Sequence, residues 1–381
     1  MKIALFTDSF LPGVGGTEKA VLGLAQSYVK LGHQVLVACP KYKKGLDVSQ
    51  FPFQIVIAKS LMLDDNNCLA FPDKKYYKAI YDFNPDIVHI QTVSPIAESG
   101  VKVAKKLGIP VVSTVHTKFR QAFQKGVKIK LITNILISKM VKLLNKCNKV
   151  YSVSNDMKPE LLSYGYKGEV TIIRNGAMLN PPKDLRESAK KGEEFLKISS
   201  KDFLLLFVGN VTSIKNLNMS LEVFYKLQQS YNNLKFAIVG DGVDRTKYEN
   251  YCKKQNIQDK VIFTGRISDT AILSSIFARS NLFLFPSIFD NDPLTVVEAA
   301  VHQTPAVVIE NTGASERIEN NISGFTIKND IDDYVLRVTE ILKNKELLNE
   351  VSKNASLKIP KDWQATAQEY IEEYKKLIAQ K

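Results

Sequence analysis

Short apolar runs alternate along this chain with segments whose apolar residues recur every three or four positions. In the first half the runs are KIALFTD, QVLVAC, FQIVIA, DIVHIQ, PVVSTV, KVYSVS and VTIIRN. In the second half they are FLLLFVG, LKFAIVGDG, VIFTG, LFLFPS, PAVVIE and GFTI. Strands that are apolar on both faces belong in parallel sheets covered by helices on either side. The pattern therefore predicts an α/β protein of two doubly wound, Rossmann-like domains. The rhythm pauses between Asn180 and Lys201, where the chain opens on Pro181 and Pro182 and becomes rich in charge. We expect an N-terminal domain over 1–178, a second domain over 179–361, and a terminal helix over 362–381 with Asp362 as its cap. Ligands of such sheets sit beyond the C-terminal strand ends, at topological switch points. Two such edges facing a cleft would hold a nucleotide on one side and an acceptor on the other.

A length of 381 residues suits two cores better than one. The composition is 45% hydrophobic and 24% charged, that of a soluble globular chain. No apolar run reaches the roughly 18 residues of a membrane helix. The opening MKIALFTDS reads as a strand, because its apolar stretch is too short for a signal peptide. Cys39, Cys68, Cys147 and Cys252 are scattered and read as reduced cytoplasmic thiols, with no spacing for a metal site. The charge is more telling. Of a net +13, residues 101–150 carry 12 positive side chains and no acid, which leaves +1 for the rest. Such a block expects an anionic partner, or else a solvated face. Within it, Lys139, Lys142, Lys146 and Lys149 are spaced to form one stripe of a helix. Leu136, Met140, Leu143 and Cys147 form another side, which would pack on the domain. The block lacks the interleaved aromatics of a single-strand stacking platform, which argues against nucleic acid.

Several strand ends carry residues suited to chemistry. PGVGGTEKAV places Gly13, Gly15 and Gly16 ahead of a helix starting near Thr17, a turn that presents backbone N–H groups to a phosphate or simply turns the chain. The spacing fits neither a dinucleotide fingerprint nor a P-loop. His116 follows the strand VVSTV, at an edge where a site would lie. His89 is mid-strand and reads as a core histidine. Gly209 ends the strand FLLLFV, and Lys215 precedes a helix starting near Asn216, where an ammonium suits a phosphate. In FDNDPLTVVEAA, Pro293 suits the first turn of a helix. Glu298 then lies inside that helix and Asp290 in the loop before it. A carboxylate among the apolar residues of TVVEAAV is expensive without a partner. The vicinal hydroxyls of a ribose would supply one, and a ligand at the helix start would meet Pro293, Leu294 and Thr295.

The chain resembles the retaining glycosyltransferases of family 4, which have the GT-B fold. The resemblance rests on LPGVGGTEKAV, VVSTVHT, YSVSNDMKPELLSYGYKGEVTIIRNGA, FVGNVTSIKN, AIVGDG, VIFTGRI, the stretch from Phe285 to Phe325 and the helix at Trp363, all in the family's order. It implies that Gly15 and Gly16 lie against the donor diphosphate, that His116 faces the reacting sugar and acceptor, and that Lys215 binds the diphosphate. The family's paired acids fall on Asp290, for the sugar hydroxyls, and Glu298, for the ribose. Two departures stand out. The first acid is Asp in place of Glu, and Asn210 stands where the family carries an arginine. The resemblance also implies a terminal helix that returns to the first domain, and transfer without a metal or other cofactor.

These observations imply a hexosyltransferase that moves a sugar from a nucleotide-sugar donor, with UDP expected, to a hydroxyl of a membrane lipid or lipid-linked acceptor. Within the family the loose likeness is to the diacylglycerol glucosyltransferase-like branch. The partners expected are the donor, the lipid and an anionic membrane surface, with the enzyme held peripherally at the cytoplasmic face of the cell membrane. Two alternatives stay open: transfer to a soluble or polysaccharide acceptor, and a nucleotide-sugar-binding subunit with little turnover, which Asn210 would favour.

Overall fold

The computed structural model describes all residues except 11–14, 42–46, 63–67, 122–129, 179–180 and 381. Gly13 of the first glycine turn, Lys125 and Lys128 of the basic block, and Asn180 at the expected boundary lie outside the described residues. The chain forms two compact units. One comprises Met1–Gly176 with Lys361–Lys381, the other Ala177–Pro360.

The first unit is built on a sheet of β1 (Lys2–Phe6), β2 (Gln34–Pro40), β3 (Gln54–Met62), β4 (Cys68–Phe71), β5 (Ile87–Ile90), β6 (Val111–Val115), β7 (Lys149–Ser152) and β8 (Val170–Ile172). Their spatial order is β4-β3-β2-β1-β5-β6-β7-β8. The pairs are parallel apart from β3 with β4. Ile3, Ala4, Leu5 and Phe6 are all fully buried, as a central strand covered on both faces requires. The apolar-run pattern did not anticipate β4. It is four residues long, and only Ala70 faces inward while Leu69 and Phe71 are exposed, so it leaves no continuous apolar signal.

The terminal helix Trp363–Ala379 packs in this first unit, with Asp362 accepting the Ala365 N–H at 2.6 Å as its cap. A Cβ on Gly23 would come within 2.5 Å of the Trp363 indole, so the close approach of the two helices needs a glycine there. A buried polar chain secures the helix. Tyr374 Oη lies 2.9 Å from Tyr28 Oη and 2.5 Å from His89 Nδ1, His89 Nε2 lies 2.7 Å from Thr114 Oγ1, and Thr114 lies 2.9 Å from Tyr370 Oη. His89 is therefore a core histidine, fully buried, and burial holds its pKa well below the ordinary value.

The second unit has a six-stranded parallel sheet of β9 (Phe203–Val208), β10 (Leu234–Val239), β11 (Val261–Gly265), β12 (Leu282–Phe285), β13 (Ala306–Ile309) and β14 (Phe325–Ile327). Its order is β11-β10-β9-β12-β13-β14. Alternate residues of β9 serve two cores. Leu205 and Phe207 join Phe224, Phe236 and Tyr334 on one face, while Leu204 and Leu206 join Phe277, Phe283 and Val308 on the other. Both sheets reverse their strand order once, between β1 and β5 and between β9 and β12. Ligand sites of doubly wound folds form beyond the strand ends at such points.

Candidate active site

In the second unit, Asn210 follows β9 and is exposed, and Lys215 closes a 3-10 turn over Ser213–Lys215. Asn216, at φ 55°, turns the chain into the helix Leu217–Leu227. Asparagine tolerates that left-handed conformation better than most residues. Its Nδ2 donates to the Pro286 carbonyl at 3.3 Å, tying this turn to the loop after β12. That loop carries Asp290. Lys215 Nζ donates to Asp290 Oδ1 at 2.5 Å, with both side chains 19% exposed, and lies 5.9 Å from the Phe285 ring centroid. The other carboxylate oxygen, Asp290 Oδ2, is buried without a hydrogen-bond partner.

The next helix runs Leu294–Val301. Pro293 stands one residue outside it, as an N-cap with φ −70° and ψ 118° and no capping side chain. The amides of that first turn are left to a ligand or to solvent, at the positive end of the helix dipole. Leu294 is buried and Thr295 half-buried. Glu298 is half-buried one turn further on, between the buried Val297 and Ala299. Its backbone carbonyl accepts from His302 Nδ1 at 2.7 Å. A carbonyl only accepts, so Nδ1 carries the proton, and His302 Nε2 takes the Ser274 hydroxyl at 2.7 Å. Burial lowers the His302 pKa, consistent with a neutral ring.

Two neighbours that hold the loop after β12 escaped the sequence reading. Arg317 grips Asp292 through Nε at 2.5 Å and Nη2 at 2.8 Å, with side-chain exposures of only 5% and 0%. A bidentate pair of this kind fixes orientation as well as distance. It joins the loop after β12 to the turn Gly313–Arg317. There, a Cβ on Gly313 would lie 2.1 Å from the Asn291 carbonyl oxygen, so only glycine permits the approach. The acid and the arginine are 25 positions apart. The one available signal was an acid-rich loop and an arginine each following a strand of the same sheet.

In the first unit, Gly15 caps the helix Gly16–Lys30 without a side chain, and a Cβ on Gly16 would meet nothing within 4 Å. His116 follows β6. Its Nε2 lies 2.8 Å from Gln91 Oε1, which accepts, so Nε2 carries the proton. Burial lowers the His116 pKa to about 4, leaving a neutral imidazole near pH 7. Sequence reasoning missed Gln91, a buried polar residue just past β5. It also missed Asp8 and Glu18, at the end of β1 and in the first turn of the following helix. Burial raises the pKa of both, and each lies at a strand-to-helix turn.

The basic stripe needs correction. Its helix runs Lys130–Leu144, so it carries Lys139 and Lys142, both exposed, while the exposed Lys146 lies in the following turn. Lys149 is the first residue of β7 and is ion-paired with Glu373 of the terminal helix. The 3-4-3 spacing continues past the point where the helix stops, which spacing alone does not reveal. The apolar side is as expected, with Met140 and Leu143 buried. Leu131, Ile132 and Ile135 of the same helix, by contrast, are exposed.

Residues 14–180 match the family described as Glycosyltransferase Family 4, and residues 189–358 match that described as Glycosyl transferases group 1. This chain is a glycosyltransferase, with a family-4 domain followed by a group-1 domain. The glycosyltransferase is 27% identical over 374 residues to the alpha-monoglucosyldiacylglycerol synthase of Acholeplasma laidlawii, covering 94% of this chain and 92% of that one. It is 26% identical over 334 residues to the enzyme of the same name from Streptococcus pneumoniae, covering 85% and 74%. Its fold matches that of HepE from Anabaena, crystallised with UDP and glucose, at a TM-score of 0.79 and 16% identity over 99% and 100% of the two chains. The expected GT-B architecture of two parallel-sheet domains is therefore that of the glycosyltransferase. Among its described residues, no helix is long and apolar enough to cross a membrane, and no three His, Cys, Asp or Glu side chains cluster as metal ligands.

Proposed function

We propose that this glycosyltransferase moves a sugar, with retention of configuration, from a UDP-linked donor to a hydroxyl of a membrane lipid or lipid-linked acceptor. The observation that carries the donor reading is the meeting of Lys215, Asp290 and the helix start at Pro293 on one loop system beyond β9 and β12. Cleaving the bond between the sugar and the phosphate builds negative charge on the departing diphosphate. Lys215 and the first-turn amides at Leu294 and Thr295 answer that charge. Asn210 adds a hydrogen bond there but no cation. Asp290 receives the sugar hydroxyls and Glu298 the ribose hydroxyls. The acceptor oxygen attacks the anomeric carbon as the phosphate oxygen leaves, and its proton passes to that oxygen. His116, neutral and held by Gln91, positions the reacting sugar.

Both synthases named above carry diacylglycerol in their names, which supports a lipid acceptor. Both names also specify an alpha product. The glucose of UDP-glucose is α-linked, so an α-product from it means retention. Exposed Lys139, Lys142 and Lys146, beside exposed Leu131, Ile132 and Ile135, suit peripheral attachment to an anionic leaflet at the cytoplasmic face. The test is incubation with UDP-glucose and diacylglycerol in mixed anionic vesicles. A glycolipid of α configuration by NMR, formed in step with UDP release, is the expected result. Transfer only to soluble sugars, or donor binding without turnover, would replace this reading with one of its alternatives.

A further inference from the structure

We infer that Asp290 is a specificity-determining residue that makes the enzyme hold a nucleotide sugar yet release the bare nucleoside diphosphate. The inference rests on the donor-site reading above and concerns how that site distinguishes donor from product.

Lys215 is a cation the site offers to a diphosphate, and position 210, just past β9, holds an uncharged asparagine. Lys215 is not a free cation. Its ammonium lies 2.5 Å from Asp290 Oδ1, and both side chains are four-fifths buried. At that depth the carboxylate cancels much of the field that Lys215 projects, and its own charge opposes an approaching diphosphate. Taken alone, this arrangement weakens the binding of every diphosphate ligand.

The second oxygen changes the balance for one of them. Asp290 Oδ2 is buried and lacks a hydrogen-bond partner, a costly condition for a charged acceptor. A sugar hydroxyl placed there makes a charge-assisted hydrogen bond and removes that cost. The nucleoside diphosphate left after transfer has no sugar to give, so it faces the opposing charge without the compensating bond. One residue thus favours the donor over the product. The device is the more useful because tight product binding would slow turnover.

The test compares UDP and UDP-glucose on the full-length chain, using calorimetric affinity, the product-inhibition constant of UDP, and kcat and KM. D290N keeps the shape and removes the charge. It is expected to tighten UDP about tenfold while kcat with UDP-glucose falls at least tenfold, so that product inhibition deepens. D290E, which restores a carboxylate, is expected to bind UDP about as weakly as the parent. D290S provides the same comparison should the asparagine variant fold poorly, as judged by circular dichroism. In the K215Q background the D290N change is expected to tighten UDP by less than in the parent, because only the carboxylate's own repulsion is left to remove. A folded D290N or D290S that binds UDP no more tightly than the parent overturns the inference and leaves the donor site standing. K215Q with undiminished affinity for both ligands overturns the donor-site reading and the inference together.

Discussion

Arg317→Met is expected to destabilise the second unit more than any single change at the ligand-facing residues. Two bonds of 2.5 and 2.8 Å join Arg317 to Asp292, whose side chain has no solvent exposure. Removing the guanidinium takes the bidentate partner from a carboxylate that cannot reach water. Breaking a buried pair from one side costs about 3–5 kcal/mol, against a typical domain stability of about 5–15 kcal/mol. For a unit of this size, each kcal/mol moves Tm by about 2–4 °C, so the melting step should fall by roughly 6–20 °C. The loop held by this pair also carries Asp290, so the KM for UDP-glucose should rise even at temperatures where the unit remains folded. Asp292→Leu combined with Arg317→Met replaces both charges with apolar groups and should recover most of the loss. Calorimetry and urea unfolding followed by circular dichroism measure both arms of the cycle. A single-variant cost below about 1 kcal/mol, or a double variant as unstable as the sum of its singles, would refute a buried, mutually dependent pair.

Glu298→Gln should raise the donor KM about tenfold or more with the fold intact, since a charge-assisted bond contributes about 1.5–3 kcal/mol; an unchanged KM removes Glu298 from the ribose site. His116→Ala should lower kcat about a hundredfold or more and spare UDP affinity, whereas loss of folding by circular dichroism would make it a core residue. His116 also sets a pH dependence. The unfolded chain takes up a proton near the ordinary 6.5, which the folded chain refuses until about pH 4. Its contribution is therefore fully present above pH 6.5 and is lost as pH falls toward 4, by up to roughly 3 kcal/mol, and His116→Gln should flatten that decline in urea midpoints. Replacing Lys139, Lys142 and Lys146 by Gln should weaken sedimentation with phosphatidylglycerol vesicles by roughly two decades and leave UDP binding unchanged; a parent that ignores such vesicles at low salt refutes the membrane reading.

The sheets were legible because central strands buried on both faces keep almost no polar residue, and thirteen strands showed as apolar runs, although β3 and β8 are partly exposed. β4 did not, since an antiparallel edge strand exposes every other side chain. Helix starts were legible to within a residue wherever a cap or a proline marked them, as at Asp362 and Pro293. The end of the Lys130–Leu144 helix was not. The 3-4-3 spacing of its lysines carries on into a turn and a strand, and only the pairing of Lys149 with Glu373, 224 positions away, shows that the last lysine belongs to the packing of the terminal helix.

The same distinction governs the site. Residue types at strand ends show where a ligand can meet the chain, and on that basis Lys215, Asp290 and Glu298 could be singled out. Their charge states depend on neighbours that are remote in sequence. Lys215 meets a carboxylate 75 positions on, and Asp292 is neutralised by an arginine from the far side of β13. His116 is kept neutral by burial beside a glutamine from β5's end. FDNDP contains two acids that look interchangeable in the sequence, but the fold separates them completely. Asp292 is fully enclosed and satisfied by a bidentate arginine, which anchors the loop. Asp290, two positions earlier, keeps one buried oxygen unmatched and the other on the site's lysine. The loop can leave one carboxylate oxygen unmatched because the neighbouring acid, paired with Arg317, holds the loop in place.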